Sequence, residues 1–162
     1  MADYEAKATI EAPVDEVLKI MTSPDYIEAE ARIDGALNCK ACVRKNDTDC
    51  TVIVAEREDP SREPGARRGA TEKSTTTSEW DLAARRNRWR CVVAGRERLV
   101  KISGITWIES DGATRTRICE KGSFIINLPL IGNLIAKGLA NDLRKSLPVK
   151  AKLVEKRYKE KK

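Results

Sequence analysis

The chain contains no histidine. That removes the Ser-His-Asp triad, the Cys-His pair and most catalytic zinc sites. Phosphate-cradling loops of the G-x-x-x-x-G-K-[ST] and G-x-G-x-x-G types are absent as well. The remaining candidate bases are scattered carboxylates, and no two stand at a recognisable catalytic spacing. One of them is singled out by its neighbours. Glu120 shares strand parity with Ile118, Gly122 and Phe124, which directs it towards an apolar space. There it would serve as an acid or as a ligand anchor. The competing reading is a register break at Gly122 that turns it outward. Lys101, in parity with Ser103 and Ile105, is the cation expected to pair with it.

The five cysteines are Cys39, Cys42, Cys50, Cys91 and Cys119. An odd number, without a secretory signal ahead of it, is expected of reduced thiols in a cytoplasmic protein. Cys39 and Cys42 form a C-x-x-C, but in a strand that spacing sends them to opposite faces. Leu37, Cys39, Ala41 and Val43 form an apolar stripe, so Cys39 is expected inward and Cys42 outward. No second pair exists to complete a zinc site, and neither a metal nor a cofactor is expected.

Aromatic residues are few: three tryptophans, three tyrosines and one phenylalanine. By strand parity Trp80 lies with Ser74, Thr76, Ser78 and Leu82, Trp89 with Cys91 and Val93, and Trp107 with Ile105. Each is a candidate for ligand contact, plain core being the alternative. Phe124 joins them near the final helix. On that helix Leu134, Gly138 and Leu139 complete the candidate ligand-binding set. Gly138 costs about 1 kcal/mol relative to alanine in a helix interior. It reads as room for either a ligand or a close strand.

The elements that must position these residues follow from periodicity. Residues 3–11 read as a strand. Pro13 opens a helix over 13–22, with Asp15 and Glu16 in its first turn, and Ser23 caps a second over 24–31. Six β-type runs follow, at 37–45, 50–58, 72–84, 88–95, 99–109 and 113–126, separated by turn signals. The polar segment 59–71 reads as an exposed flexible loop between strands. After Pro129 the period becomes helical, with Ile131, Leu134, Ile135, Leu139, Leu143 and Leu147 on one stripe. Pro148 is expected to kink that helix. The expected class is α+β: a curved, seven-stranded antiparallel sheet around a long C-terminal helix, with two short helices after the first strand.

Composition agrees with a globular protein of one domain, 1–162, at 41% apolar and 35% charged residues. Net charge is +6, and the excess is concentrated at the end. From Arg144 onward there are nine basic and two acidic residues. The basic helix end 148–162 carries Leu153, Val154 and Tyr158 among lysines. It reads either as a solvated end that finishes the packing or as a weak contact with an anionic membrane. Arg85, Arg86, Arg88, Arg90, Arg96 and Arg98 surround Trp89, but their alternation with Trp89 and Cys91 is that of a strand with one wet face. Nucleic-acid binding is therefore not expected. The apolar stretch from Phe124 to Ala140 is interrupted by Asn127, Pro129, Gly132, Asn133 and Lys137, which argues against a transmembrane helix.

This order and two segments resemble a known family. TIEAPVDEVLKIMTSPDYI, residues 9–27, resembles the opening of the START-like (SRPBCC) superfamily, the helix-grip fold of lipid-transfer domains and birch-pollen-type allergens. Ala12, Pro13, Val17, Ser23, Pro24 and Tyr26 occupy the motif positions, and Leu18 stands where many members carry an aromatic. FIINLPLIGNLIAKGLANDL, residues 124–143, is similar to the strand-to-helix step of an uncharacterised bacterial branch. The resemblance implies a hydrophobic small molecule, lipid, sterol or polyketide-like, bound in a cavity between the sheet and the last helix. A polyketide cyclase or hydrolase-like enzyme, or an interaction domain with a filled core, is the alternative. Catalysis is the less favoured expectation, because no catalytic constellation is present.

Overall fold

A computed structural model describes residues 1–63 and 65–161. Pro64 of the polar loop and Lys162 of the basic end lie outside the described residues. Alternating side chains in the N-terminal segment form strand β1 (Ala2–Ile10). Pro13 then sits at the N-cap of α1 (Val14–Met21), one place before the position expected of it. Ser23 caps α2 (Pro24–Ile33), its hydroxyl accepting from the Tyr26 N–H at 3.3 Å. The six β-runs become β2 (Asn38–Asn46), β3 (Cys50–Pro60), β4 (Thr71–Asp81), β5 (Arg86–Val93), β6 (Val100–Ser110) and β7 (Thr116–Ile126). Helix α3 (Gly132–Glu160) follows and continues through Pro148.

The strands form one antiparallel sheet in the order β1-β7-β6-β5-β4-β3-β2. Each pair from β2 to β7 is sequential, and β1 closes on β7, so the first and last strands hold α3 together. The helix packs chiefly against β1 and then β7, while α2 covers β2 and part of β3. The contact face of α3 differs from the expected stripe. Gly132, Ala136, Ala140, Leu147, Ala151 and Val154 are buried, whereas Ile131 and Leu134 are exposed. Small residues let the helix approach the alanine-rich β1 closely, and the larger Ile135, Leu139 and Leu143 flank that contact half-buried. The stripe is thus rotated away from its largest residues.

Two apolar clusters share the interior. One gathers Ile10, Val17, Tyr26, Ile53, Trp80, Ile118, Leu147 and Val154 beneath the short helices. The other gathers Ala2, Tyr4, Phe124, Ile126, Ala136 and Ala140 near the start of α3. Leu153 and Tyr158 pack on the first cluster, so the apolar side chains of the basic end are used within the chain. The polar loop between β3 and β4 is tied down at several points. Ser61 N–H donates to the Ala70 carbonyl at 2.9 Å, Arg62 pairs with Asp142 of α3, and Glu63 pairs with Arg96.

Candidate functional site

The register aligns side chains into rows across the inner face. One row runs Ile53, Ser78, Trp89, Gly104, Gly122, Tyr4. The next runs Thr51, Trp80, Asn87, Thr106, Glu120, Ala6. The two glycines at the middle of the first row leave room for large rings on either side. A Cβ on Gly104 would collide with the Trp89 indole, and one on Gly122 with the Tyr4 ring. Both rings therefore lie over the sheet and send their polar ends to the neighbouring row.

Those ends meet at Glu120. The Tyr4 hydroxyl donates to Glu120 Oε1 at 2.7 Å, and the Thr106 hydroxyl donates to Oε2 at 2.8 Å. Thr106 Oγ1 in turn accepts from Trp89 Nε1–H at 3.1 Å. Each hydrogen bond supports the next, since a hydroxyl that donates to a carboxylate is a better acceptor. Burial, together with the charge and hydrogen bond of Glu120, pushes the Tyr4 phenol far above its ordinary range. The ladders either side of Gly122 are unbroken, so Glu120 faces inward with its parity mates.

The charge of Glu120 is also felt by groups beneath the short helices. Lys150 of α3 bridges Glu30 at 3.1 Å and Asp34 at 3.3 Å, with 13% of its side chain exposed. Burial alone would lower its pKa, but the charges of Glu30, Asp34 and Glu120 outweigh that and raise it. Burial raises the Tyr26 phenol as well, helped by the charge and hydrogen bond of Glu30 and then by the charge of Glu120. Asn87 Oδ1 is buried and has no hydrogen-bond partner among the described residues. Such a group costs free energy until something satisfies it.

Of the residues singled out in the sequence, Trp89, Glu120, Phe124 and Leu139 come together around this chain of hydrogen bonds. Trp80 is buried on the same face, one strand further out, inside the other cluster. Trp107 is not part of the site. It opposes Cys119 on the outer face, where Arg86 lies 5.5 Å and Lys121 6.0 Å from its ring centre. Leu134 and Gly138 are also elsewhere, on the exposed side of α3. A Cβ on Gly138 would meet nothing within 4 Å, so no strand approaches it. Lys101 faces outward opposite Ile125 and does not pair with Glu120. It keeps its parity with Ser103 and Ile105, but those residues belong to the outer face.

Cys39 is buried and Cys42 half-buried on the other face, as the alternation implies, and burial pushes the Cys39 thiol up. Leu37 and Val43, the ends of that stripe, are 62% and 42% exposed. The short helix α2 covers only its middle. Tyr4, Thr106, Gly104, Gly122 and Asn87 are site residues that the sequence does not single out. Tyr4 carries a signal: it is the one large polar side chain among Ala2, Ala6, Ala8 and Ile10 on its stripe. The others acquire meaning only through strand register.

Two hollows at the surface lie away from this chain. One of about 450 Å³ is lined by Lys152, Glu155, Lys156, Lys159 and Glu160, the other, of about 360 Å³, by residues from Ile126 to Asn133.

A family model described as "Protein of unknown function (DUF2505)" matches residues 5–157. The chain belongs to the DUF2505 family. No curated protein matches this DUF2505 chain. Among solved structures it is similar to TTHA0849 from Thermus thermophilus, at 16% identity and a TM-score of 0.68, with 96% of each chain covered. A START superfamily protein from Mycobacterium smegmatis aligns at 14% identity and a TM-score of 0.62, covering 99% of both chains. The di-domain aromatase/cyclase BexL aligns at 19% identity and a TM-score of 0.67 over 96% of this chain. The DUF2505 chain spans about half of that protein, 47% of its length. These likenesses establish the START-like helix-grip fold that the opening motif implied. Among the described residues no helix is long and apolar enough to cross a membrane.

Proposed function

We propose that this chain binds a hydrophobic small molecule between the inner face of the sheet and α3. Trp89, Phe124 and Leu139 supply apolar contact, and Glu120 anchors a hydrogen-bond donor of the ligand. The observation that carries this reading is the Glu120 carboxylate, held at the inner face by Tyr4 and Thr106 and flanked by apolar clusters. A few convergent polar groups in an apolar setting are the usual composition of a small-molecule site. The buried Asn87 Oδ1, without a partner among the described residues, supports it, since a polar group of the ligand would satisfy it. So does the inner face of β4, where Ser74, Thr76 and Ser78 are half-buried and α3 makes its main contacts elsewhere. The five unpaired cysteines favour a reducing, cytoplasmic setting.

Native mass spectrometry of the chain isolated from its own host tests the proposal. The expected result is an adduct of lipid-like or polyketide-like mass, diminished in Glu120→Gln. A spectrum of the bare chain alone, with no apolar compound retained on incubation, would overturn it. Cyclase-like catalysis is the second reading, supported by the Tyr4–Glu120 contact and the likeness to BexL. Turnover of a poly-β-keto thioester by the parent and not by Glu120→Gln would establish it.

A further inference from the structure

We infer that the crest where β7 enters α3 docks on an anionic bilayer, with Leu130, Ile131 and Leu134 entering the acyl boundary. This surface is separate from the ligand site and stands without it. Leu130 has a φ of 69°, and its side chain is wholly exposed, at 103%. A turn that needed only this left-handed backbone would take glycine or asparagine. Here the strained turn instead lifts a leucine clear of the fold. Ile131 and Leu134 follow at 42% and 73% exposure. The leading side chain stands wholly exposed at the edge of the hollow lined from Ile126 to Asn133. A bilayer accepts it without a complementary shape.

The charge around the crest fits the same partner. The first turn of α3 holds no acidic residue, and its N-cap, Ile131, supplies no capping side chain. The positive end of a 29-residue helix therefore opens here. Asn127 ties the crest to the β5–β6 turn, its N–H donating to the Leu99 carbonyl at 2.7 Å and its side chain to that of Arg98 at 3.4 Å. Arg98 and Lys137, the latter three residues beyond Leu134, are exposed. The β3–β4 loop, with exposed Arg67 and Arg68, is joined to the β5–β6 turn by the Glu63–Arg96 pair and to the third turn of α3 by the Arg62–Asp142 pair. Among the nearby acids, Asp142 and Glu63 are engaged with arginines, and Glu97 accepts from the Gly95 N–H. Cations near a bilayer surface then add to the apolar contact. The basic end of α3 lacks such a crest, because Leu153, Val154 and Tyr158 pack inward.

Co-sedimentation of the full chain with phosphatidylcholine vesicles, with and without phosphatidylserine, tests the inference at low ionic strength. The chain is expected to pellet with the phosphatidylserine vesicles and to be released by salt. Leu130→Asp with Leu134→Asp is expected to weaken binding at least about tenfold. Lys152→Gln with Lys156→Gln and Lys159→Gln is expected to bind like the parent, circular dichroism confirming that both variants fold. A parent chain left in the supernatant, or a double variant that binds undiminished, would overturn the inference. Loss of binding in the lysine variant would do so too, by moving the surface to the basic end.

Discussion

Gly104 and Gly122 face each other across the β6–β7 ladder, and each lies beneath an aromatic ring. Trp89 covers the first and Tyr4 the second, so one glycine pair aims two polar ends at one carboxylate. Adding a methyl group at either position is expected to push a ring off the sheet. Gly104→Ala and Gly122→Ala should each destabilise the fold by about 1–3 kcal/mol in urea denaturation, as overpacking does. Gly138→Ala, with open space around it, should instead stabilise by about 1 kcal/mol. The opposite signs separate a steric requirement from a general dislike of side chains in place of glycine.

Tyr4 links the site to alkaline stability. Its phenol titrates above the ordinary value of 10.0 in the folded chain, because of burial first and Glu120 second. The folded state keeps a proton that the unfolded state releases, so stability is full below that value and falls as pH rises past it. Thermal melts across this range should show a decline that is shallower in Tyr4→Phe. In Glu120→Gln the phenol should ionise at a lower pH than in the parent, because the carboxylate charge no longer opposes its ionisation. Phenolate absorbance, with Tyr4→Phe as the blank, reports this directly.

Lys150 holds α3 to the end of α2 through two carboxylates. Lys150→Ala leaves Glu30 and Asp34 together without their cation and is expected to cost about 3–5 kcal/mol in urea denaturation. Lys150→Met combined with Glu30→Gln and Asp34→Asn should recover most of that loss, since all three charges go together. Failure to recover would mean that the lysine stem, not its charge, holds the helices.

Leu130 has a backbone that a glycine adopts freely. Leu130→Gly is expected to raise stability by about 1 kcal/mol, read as a higher melting temperature. A lower melting temperature would show that the leucine makes a folding contact that its exposure does not reveal.

The strand sequence, the two short helices and the long final helix could all be read from period and punctuation, because alternation and turn residues are local properties. Parity with Ile118 and Phe124 offered an inward Glu120 beside an outward one turned by a register break at Gly122, and the unbroken ladders of the folded sheet decide for the first. The face to which a stripe belongs is a different matter. On β6 both stripes are partly apolar, Ile105 and Trp107 on one, Ile102 and Ile108 on the other. Only the pairing of Thr106 with Glu120 decides between them, and it sends Trp107 and Lys101 outward. The rotation of α3 was hidden similarly, since leucines dominate a helical stripe by size while alanines allow the closer approach to β1. The glycine pair needed the register of four strands at once.

The central claim is that the inner face around Glu120 and Trp89, not the outer face with Trp107, takes an apolar ligand. Energy transfer from tryptophan to a neutral fluorescent naphthylamine probe measures this directly. The account predicts saturable binding at one site, with transfer greatly reduced in Trp89→Phe, retained in Trp107→Phe, and affinity lowered in Leu139→Ala. Non-saturable binding, or transfer that depends on Trp107 and ignores Trp89, would contradict it.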